Sequence, residues 1–206
     1  MKNYYADGYY AFPLNTSTHD RMLAYWDEAF SFEELKKVQA ICESLQTRRA
    51  GVSGGAQGTE LDSIRDCTVG WIEPVGESLW IYDRLSYVMR DLNKEVFGFD
   101  LQGFYDGLQY TVYDATDGNQ EFYTWHVDCF GKRDEPCRKL SLVLQLSDPF
   151  DYEGGELQLH GNVRTSIPKS LGKITVFPSY TLHRVTPVTS GIRRTLVAWA
   201  VGPEYR

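Results

Sequence analysis

The feature that most restricts this chain is the run of short strand-like segments that fills its second half. From about residue 101 onward, stretches rich in β-branched, aromatic and leucine residues alternate with turn signals. Gln109-Tyr110-Thr111-Val112-Tyr113 alternates, so that Gln109, Thr111 and Tyr113 share one face of a strand. Leu140 to Ser147 does the same, with leucines on one side and Ser141, Val143 and Gln145 on the other. Asp148-Pro149 ends that segment and Gly154-Gly155 opens the next. Shorter strands follow over 163–167 and 173–177, then two that carry His183 and Arg193. About eight such strands with turns at regular spacing predict a double-sheet jelly roll.

The first half reads differently. Ser31-Phe32-Glu33-Glu34 is a capping box, and Leu35, Val38, Ile41, Cys42 and Leu45 follow at helical spacing. This helix should end near Gln46. A second apolar stripe, Ile81, Leu85, Val88 and Leu92, is stopped by Gly98. Between the two, residues 66–72 read as a short strand entering the Pro74 turn. Helices first and strands after predict an α+β fold, in which N-terminal helical support (about 1–100) buttresses a β core (about 101–206). At 206 residues the chain is read as a single domain, 1–206, large enough for a core without disulfide or metal staples.

Charge and composition exclude some classes. A formal charge of −7 argues against a general nucleic-acid binder. No apolar run approaches the roughly eighteen residues of a membrane span. The N-terminal residues lack the apolar core of a signal peptide, so a cytoplasmic location is expected. The four cysteines show no paired metal spacing. Cys129 and Cys137, flanking a charged loop, are expected as free thiols, with a bridge as the alternative.

The chemistry gathers around Tyr123-Thr124-Trp125-His126-Val127-Asp128. A histidine and an aspartate two apart on a strand point the same way and offer two donors to one metal ion. Of the four histidines, His183 is the best third donor, since His19 and His160 read as a polar surface residue and a sheet-edge residue. Two histidines and one carboxylate on one face leave coordination positions open, as non-haem Fe(II) oxygenases require. Ten residues beyond His183, Arg193 supplies a planar guanidinium able to clamp a carboxylate. Arg194 should face the other side of its strand and reach solvent.

Taken in order, His126-x-Asp128, Gly154-Gly155-Glu156-Leu157, Phe177-Pro178-Ser179, His183 and Arg193 resemble the Fe(II)/2-oxoglutarate-dependent dioxygenases, and within them the prolyl-4-hydroxylase-like branch. The resemblance runs from about Leu108 to Tyr205 and implies the double-stranded β-helix form of the jelly roll. It implies that His126, Asp128 and His183 hold Fe(II), that Arg193 binds 2-oxoglutarate, and that O₂ is the second cosubstrate, with ascorbate as an accessory reductant. Asp128 is the carboxylate that halogenating relatives replace, so its presence favours hydroxylation. Tyr113 matches a tyrosine lining the cosubstrate pocket, with Tyr110 as the alternative; Gln145 and Trp199 are further cosubstrate contacts. Tyr123, Arg65 and Trp71 match positions near the substrate opening.

The resemblance therefore implies hydroxylation of an unactivated C–H bond, on a prolyl residue of a protein or peptide. A free amino acid or other small metabolite is the alternative substrate, and a non-catalytic cupin-like metal-binding domain the alternative class. The glycine-bearing stretch from Arg48 to Glu60 and the loop from Cys129 to Arg138 are expected to act as lids.

Overall fold

The architecture is a pair of facing antiparallel sheets with two helices on the outside of the larger one. The computed structural model describes residues 5–6, 9–10, 22–50, 64–129, 136–161 and 164–204. In chain order the elements are β1 (Tyr5–Ala6), β2 (Tyr9–Tyr10), β3 (Ala24–Trp26), α1 (Phe32–Glu43), β4 (Arg48–Arg49), β5 (Arg65–Asp66), β6 (Thr68–Ile72) and α2 (Leu79–Leu92). They continue with β7 (Gly103–Phe104), β8 (Leu108–Asp114), β9 (Phe122–His126), β10 (Cys137–Gln145), β11 (Tyr152–Gly154), β12 (Leu157–His160) and β13 (Arg164–Ser166). The last three are β14 (Ile174–Pro178), β15 (Leu182–Val185) and β16 (Val188–Gly202).

The larger sheet runs β3-β14-β10-β16-β8-β6-β4, with β7 and β11 paired to β16; the smaller runs β13-β12-β15-β9-β5. Consecutive neighbours in space are distant in sequence, which is the crossover pattern of a jelly roll. This is the double-stranded β-helix, α+β arrangement expected.

Alternation along the strands separates two cores. β10 pairs with β16 so that Leu142 lies opposite Ala198 and Leu144 opposite Leu196, while Ser141 faces Trp199 and Gln145 faces Thr195. The leucine face, with Leu140, Leu142, Leu144 and Leu196 fully buried, packs against the helices. There α1 contributes Leu35, Val38 and Cys42, and α2 contributes Ile81, Leu85, Val88 and Met89. Shortening one such leucine to alanine leaves a cavity and costs roughly 2–5 kcal/mol. The other face looks into the space between the sheets, where Tyr113, Tyr152, Leu157, Leu159, Phe177 and Val188 form a second cluster.

The helix ends follow from local chemistry. The Ser31 side chain accepts from the Glu34 backbone N–H at 3.3 Å, and the Ser31 N–H donates to the Glu34 carboxylate at 2.8 Å. That carboxylate also accepts from Arg84 Nη2 of α2 at 2.9 Å, which ties the two helices together. After α2 the chain makes a wide π-helical turn over Asn93–Phe97 and stops at Gly98, whose φ of 70° puts it in the left-handed region.

Several expectations are refined. Arg48–Arg49 is a strand, and the rest of the stretch expected as a first lid, 51–60, lies outside the described residues, as do 130–135 of the second. His19 lies outside them too. His160 sits on β12, inside the smaller sheet rather than at its edge, because β13 covers it. Cys129 and Cys137 are free, with their sulfurs 3.6 Å apart. Among the described residues no helix is long and apolar enough to cross a membrane.

Candidate metal and cosubstrate centre

Between the sheets, β9 and β15 run side by side with His126 opposite His183. The register then slips, so that Val185 lies opposite Tyr123. That bulge places an extra residue in β9 and turns Tyr123 to the same side as His126, on which its ring stacks at 3.5 Å and 14°.

Asp128 arrives by a different route from the one alternation suggests. β9 ends at His126, and Asp128 lies in a bend beyond it. Its position comes from its backbone N–H, which donates to the Ser179 carbonyl at 2.8 Å, and from Ser141 Oγ, which donates to its Oδ2 at 2.7 Å. Ser141 in turn lies 3.0 Å from Ser179 Oγ. Two serines, Ser141 on β10 and Ser179 in the turn after β14, therefore aim the carboxylate. Ser141 carries no signal in the sequence beyond a small polar residue on an inward face, and Ser179 enters only as the end of the Phe177-Pro178-Ser179 motif.

The donor atoms converge. His126 Nε2 is 3.7 Å from one Asp128 oxygen and His183 Nε2 is 3.5 Å from the other. All three ligand atoms lie within 4.8 Å of one another. Each imidazole Nδ1 is 2.8 Å from the carbonyl two residues before it, Thr124 for His126 and Thr181 for His183. A carbonyl only accepts, so Nδ1 carries the proton and Nε2 presents a lone pair to the centre. Burial, and then the neighbouring His183, lower the pKa of His126 to about 4, which keeps it neutral at physiological pH. Burial opposes the charge of Asp128. His183, His126 and the neighbouring Trp199 and Ser141 side chains outweigh it and hold its pKa below the ordinary carboxylate value. Two imidazole nitrogens and one carboxylate oxygen, each buried and oriented, form a donor set that fits a divalent iron ion.

Arg193 occupies the same interior. It is 3% exposed, and its Nε has no hydrogen-bond partner among the described residues. Its guanidinium lies 5.4 Å from the Tyr113 ring, and it looks into a partly open pocket lined by Gln145, Tyr152 and Thr175 among others. A buried guanidinium with an unsatisfied donor, facing a cavity without a carboxylate, is a site for an anion. Ser141, Val143 and Gln145 lie on successive inward rungs of β10. At ~3.3 Å per residue they span roughly 13 Å, from the metal end to the Arg193 end. The donors thus fit both groups that the resemblance implies.

The remaining candidates separate by face. Tyr113 is buried between the sheets, and burial raises its pKa. Tyr110 belongs to the helix-side core, so it is remote from the cavity. Arg194 also points to the helix side, half-buried near Tyr110 rather than in open solvent. Gln145 donates to the Tyr152 hydroxyl at 2.6 Å. Trp199 packs on Trp71 at 6.2 Å and beneath Arg138 at 3.9 Å. Arg65 lies 4.6 Å over the Tyr123 ring and donates to Gln109 at 2.9 Å. Tyr152 and Lys169, both lining the cavity, were not legible in the sequence. A tyrosine after a turn and a lysine in a loop look like surface.

Comparison with known proteins agrees with this geometry. Residues 108–201 match the model of the 2OG-Fe(II) oxygenase superfamily. A PKHD-type hydroxylase of Hyphomonas neptunium is 43% identical over 86 residues, covering 40% of this chain and 38% of that protein. A PKHD-type hydroxylase of Escherichia coli is 42% identical over 89 residues, covering 39% and 38%. The matches thus span well under half the length of these relatives. Among solved structures, a Pseudomonas putida prolyl-4-hydroxylase superposes with a TM-score of 0.66 at 21% identity, covering 90% of this chain and 95% of that one. A prolyl hydroxylase of Trichoplax adhaerens, solved with a peptide fragment of hypoxia inducible factor, gives 0.70 at 17% identity, covering 88% and 84%. At such identities the structures speak for the fold alone.

Proposed function

We propose, from the premise that residues 108–201 are a 2OG-Fe(II) oxygenase domain, that this chain hydroxylates a prolyl residue of a protein or peptide with Fe(II), 2-oxoglutarate and O₂. The observation that carries the reading is Arg193, buried with an unpaired Nε in the same interior as His126, Asp128 and His183. When bound, iron and 2-oxoglutarate supply the oxidation, in which one oxygen atom goes to the substrate carbon and one to succinate, with release of CO₂.

The protein's part is to hold and orient. His126, Asp128 and His183 take one face of the ion and leave the other to small ligands. Arg193 pairs with the distal carboxylate, with Tyr113 and Gln145 alongside, while Trp199, opposite Ser141, stands at the metal end beside Asp128. Tyr123, Arg65 and Trp71 lie on the substrate side, where the stacking of Tyr123 on His126 links the metal ligand to the opening. The choice of a prolyl substrate rests on the resemblance of the ordered motifs to the prolyl-4-hydroxylase-like branch; the prolyl hydroxylases among the similar structures, one of them solved with a peptide, share its fold.

The test is succinate formation by the iron-loaded protein, with and without proline-containing peptides, followed by mass spectrometry for a gain of one oxygen. Turnover raised by free amino acids but by no peptide would move the substrate to a small molecule. A protein that binds iron and 2-oxoglutarate yet never forms succinate would be a binding domain.

A further inference from the structure

The cavity in front of Arg193 holds more positive charge than one carboxylate contact requires. Among the described residues its lining includes Arg193, Lys169 and Lys173 and no aspartate or glutamate. Lys173 is accounted for by Asp27, which accepts from its Nζ at 2.5 Å. Lys169 is not. Its Nζ donates to the Gly154 carbonyl at 2.5 Å and sits 4.6 Å from the centre of the Tyr152 ring. An ammonium has three donors, so two remain for other partners.

Arg193 and Lys169 are bound into one small frame. The side chains of Arg193 and Tyr152 interact, and Lys169 lies over the ring of that same tyrosine. Gly154 accepts the Lys169 bond, and the next residue, Gly155, lies against the Arg193 stem. Two cations held this way repel each other in a half-buried space. Burial lowers the pKa of Lys169; the charge of Glu156 raises it, and the charge of Arg193, the smaller of the two, lowers it. A carboxylate offers two oxygens and about four lone-pair positions, so it can take the Arg193 fork on one edge and an ammonium on the other.

We propose that Lys169 is a second cationic contact for the distal carboxylate of the 2-oxo acid, and that it sets the preference for a dicarboxylic over a monocarboxylic cosubstrate. This rests on the reading of Arg193 given above. The contact exists only for a ligand whose second carboxylate reaches the Arg193 end of the cavity. A monocarboxylic analogue of the same length gains nothing from it.

The experiment is calorimetric titration of the Ni(II)-loaded protein with 2-oxoglutarate and, separately, with 2-oxopentanoate, which has the same carbon chain and no distal carboxylate. Lys169→Met keeps the stem over Tyr152 and removes the charge; Lys169→Gln is the second variant, and metal content and melting temperature are measured for both. One charge-assisted hydrogen bond at a partly open site predicts 2-oxoglutarate binding about 5- to 30-fold weaker in either variant. Binding of 2-oxopentanoate should change less than about twofold. Unchanged 2-oxoglutarate affinity, or equal weakening for both acids, overturns the inference and leaves the Arg193 reading standing. An unaltered protein that binds no 2-oxoglutarate overturns that reading and this inference together.

Discussion

Gly155 lies so close to Arg193 that a Cβ added to it would stand 2.8 Å from the Arg193 Cδ. Its φ of +58° is left-handed, and Val188 Cγ2 would be 2.9 Å away on the other side. Glycine is required here by conformation and by space. Gly155→Ala is expected to destabilise the protein by ~1–3 kcal/mol, the usual cost of such backbone strain. It should also weaken 2-oxoglutarate binding, because the arginine stem must shift. Urea unfolding and calorimetric titration of one preparation check both; unchanged values in both would contradict the contact.

Arg193→Ala should raise the apparent 2-oxoglutarate constant steeply and leave iron binding nearly intact. Removing one member of a buried charge pair commonly costs ~3–5 kcal/mol, on the order of 10²- to 10³-fold in binding. Arg193→Lys should recover only part, since an ammonium lacks the planar fork. Arg194→Ala, on the helix side of the same strand, should do little to the cosubstrate. The three variants are compared by titration with iron saturating; a large loss in Arg194→Ala alone would place the cosubstrate on the wrong face.

Alanine in place of His126, Asp128 or His183 should lower metal affinity and abolish succinate formation. Ser141→Ala should do less. It removes the 2.7 Å donor to Asp128 but leaves the backbone bond to Ser179 in place. Equilibrium dialysis against Fe(II) under argon ranks the four variants. Full turnover in Asp128→Ala would remove the triad from the metal.

Acid should loosen the junction between the helices. The pKa of Glu34 is lowered to about 2 by its bond to Arg84 and by the Ser31 backbone. A depressed carboxylate stabilises the fold above its unfolded value, and that stability is lost as pH falls from about 4.5 toward about 2. The difference in urea midpoint between the unaltered protein and Glu34→Gln should therefore be largest near neutrality and shrink below pH 4. A difference that grows on acidification would reverse the sign and exclude the pairing.

Much of this was readable in the chain because alternation on β8, β10 and β16 reports faces directly. Tyr113 and Arg193 follow from a period of two, and the capping box at Ser31 marks its helix start within a residue. Asp128 shows where the rule stops. The residue was identifiable but its placement was not, because the strand ends before it and a bulge re-aims its neighbours. Lys169 and Tyr152 were not readable at all. Their part depends on loops brought together across the sheets, for which a local pattern carries no mark.

β16 has a consequence for how the protein is made. It is the strand into which β8 and β10 both pair along their length, and it also receives β7 and β11. Before residues 188–202 emerge from the ribosome, β8 and β10 each have an open edge, and those edges invite pairing with other chains. A nascent chain can form its helices early, but the interior that holds the donors closes only when this one strand is inserted. Expression trouble and aggregation are therefore expected to concentrate in changes that slow that insertion.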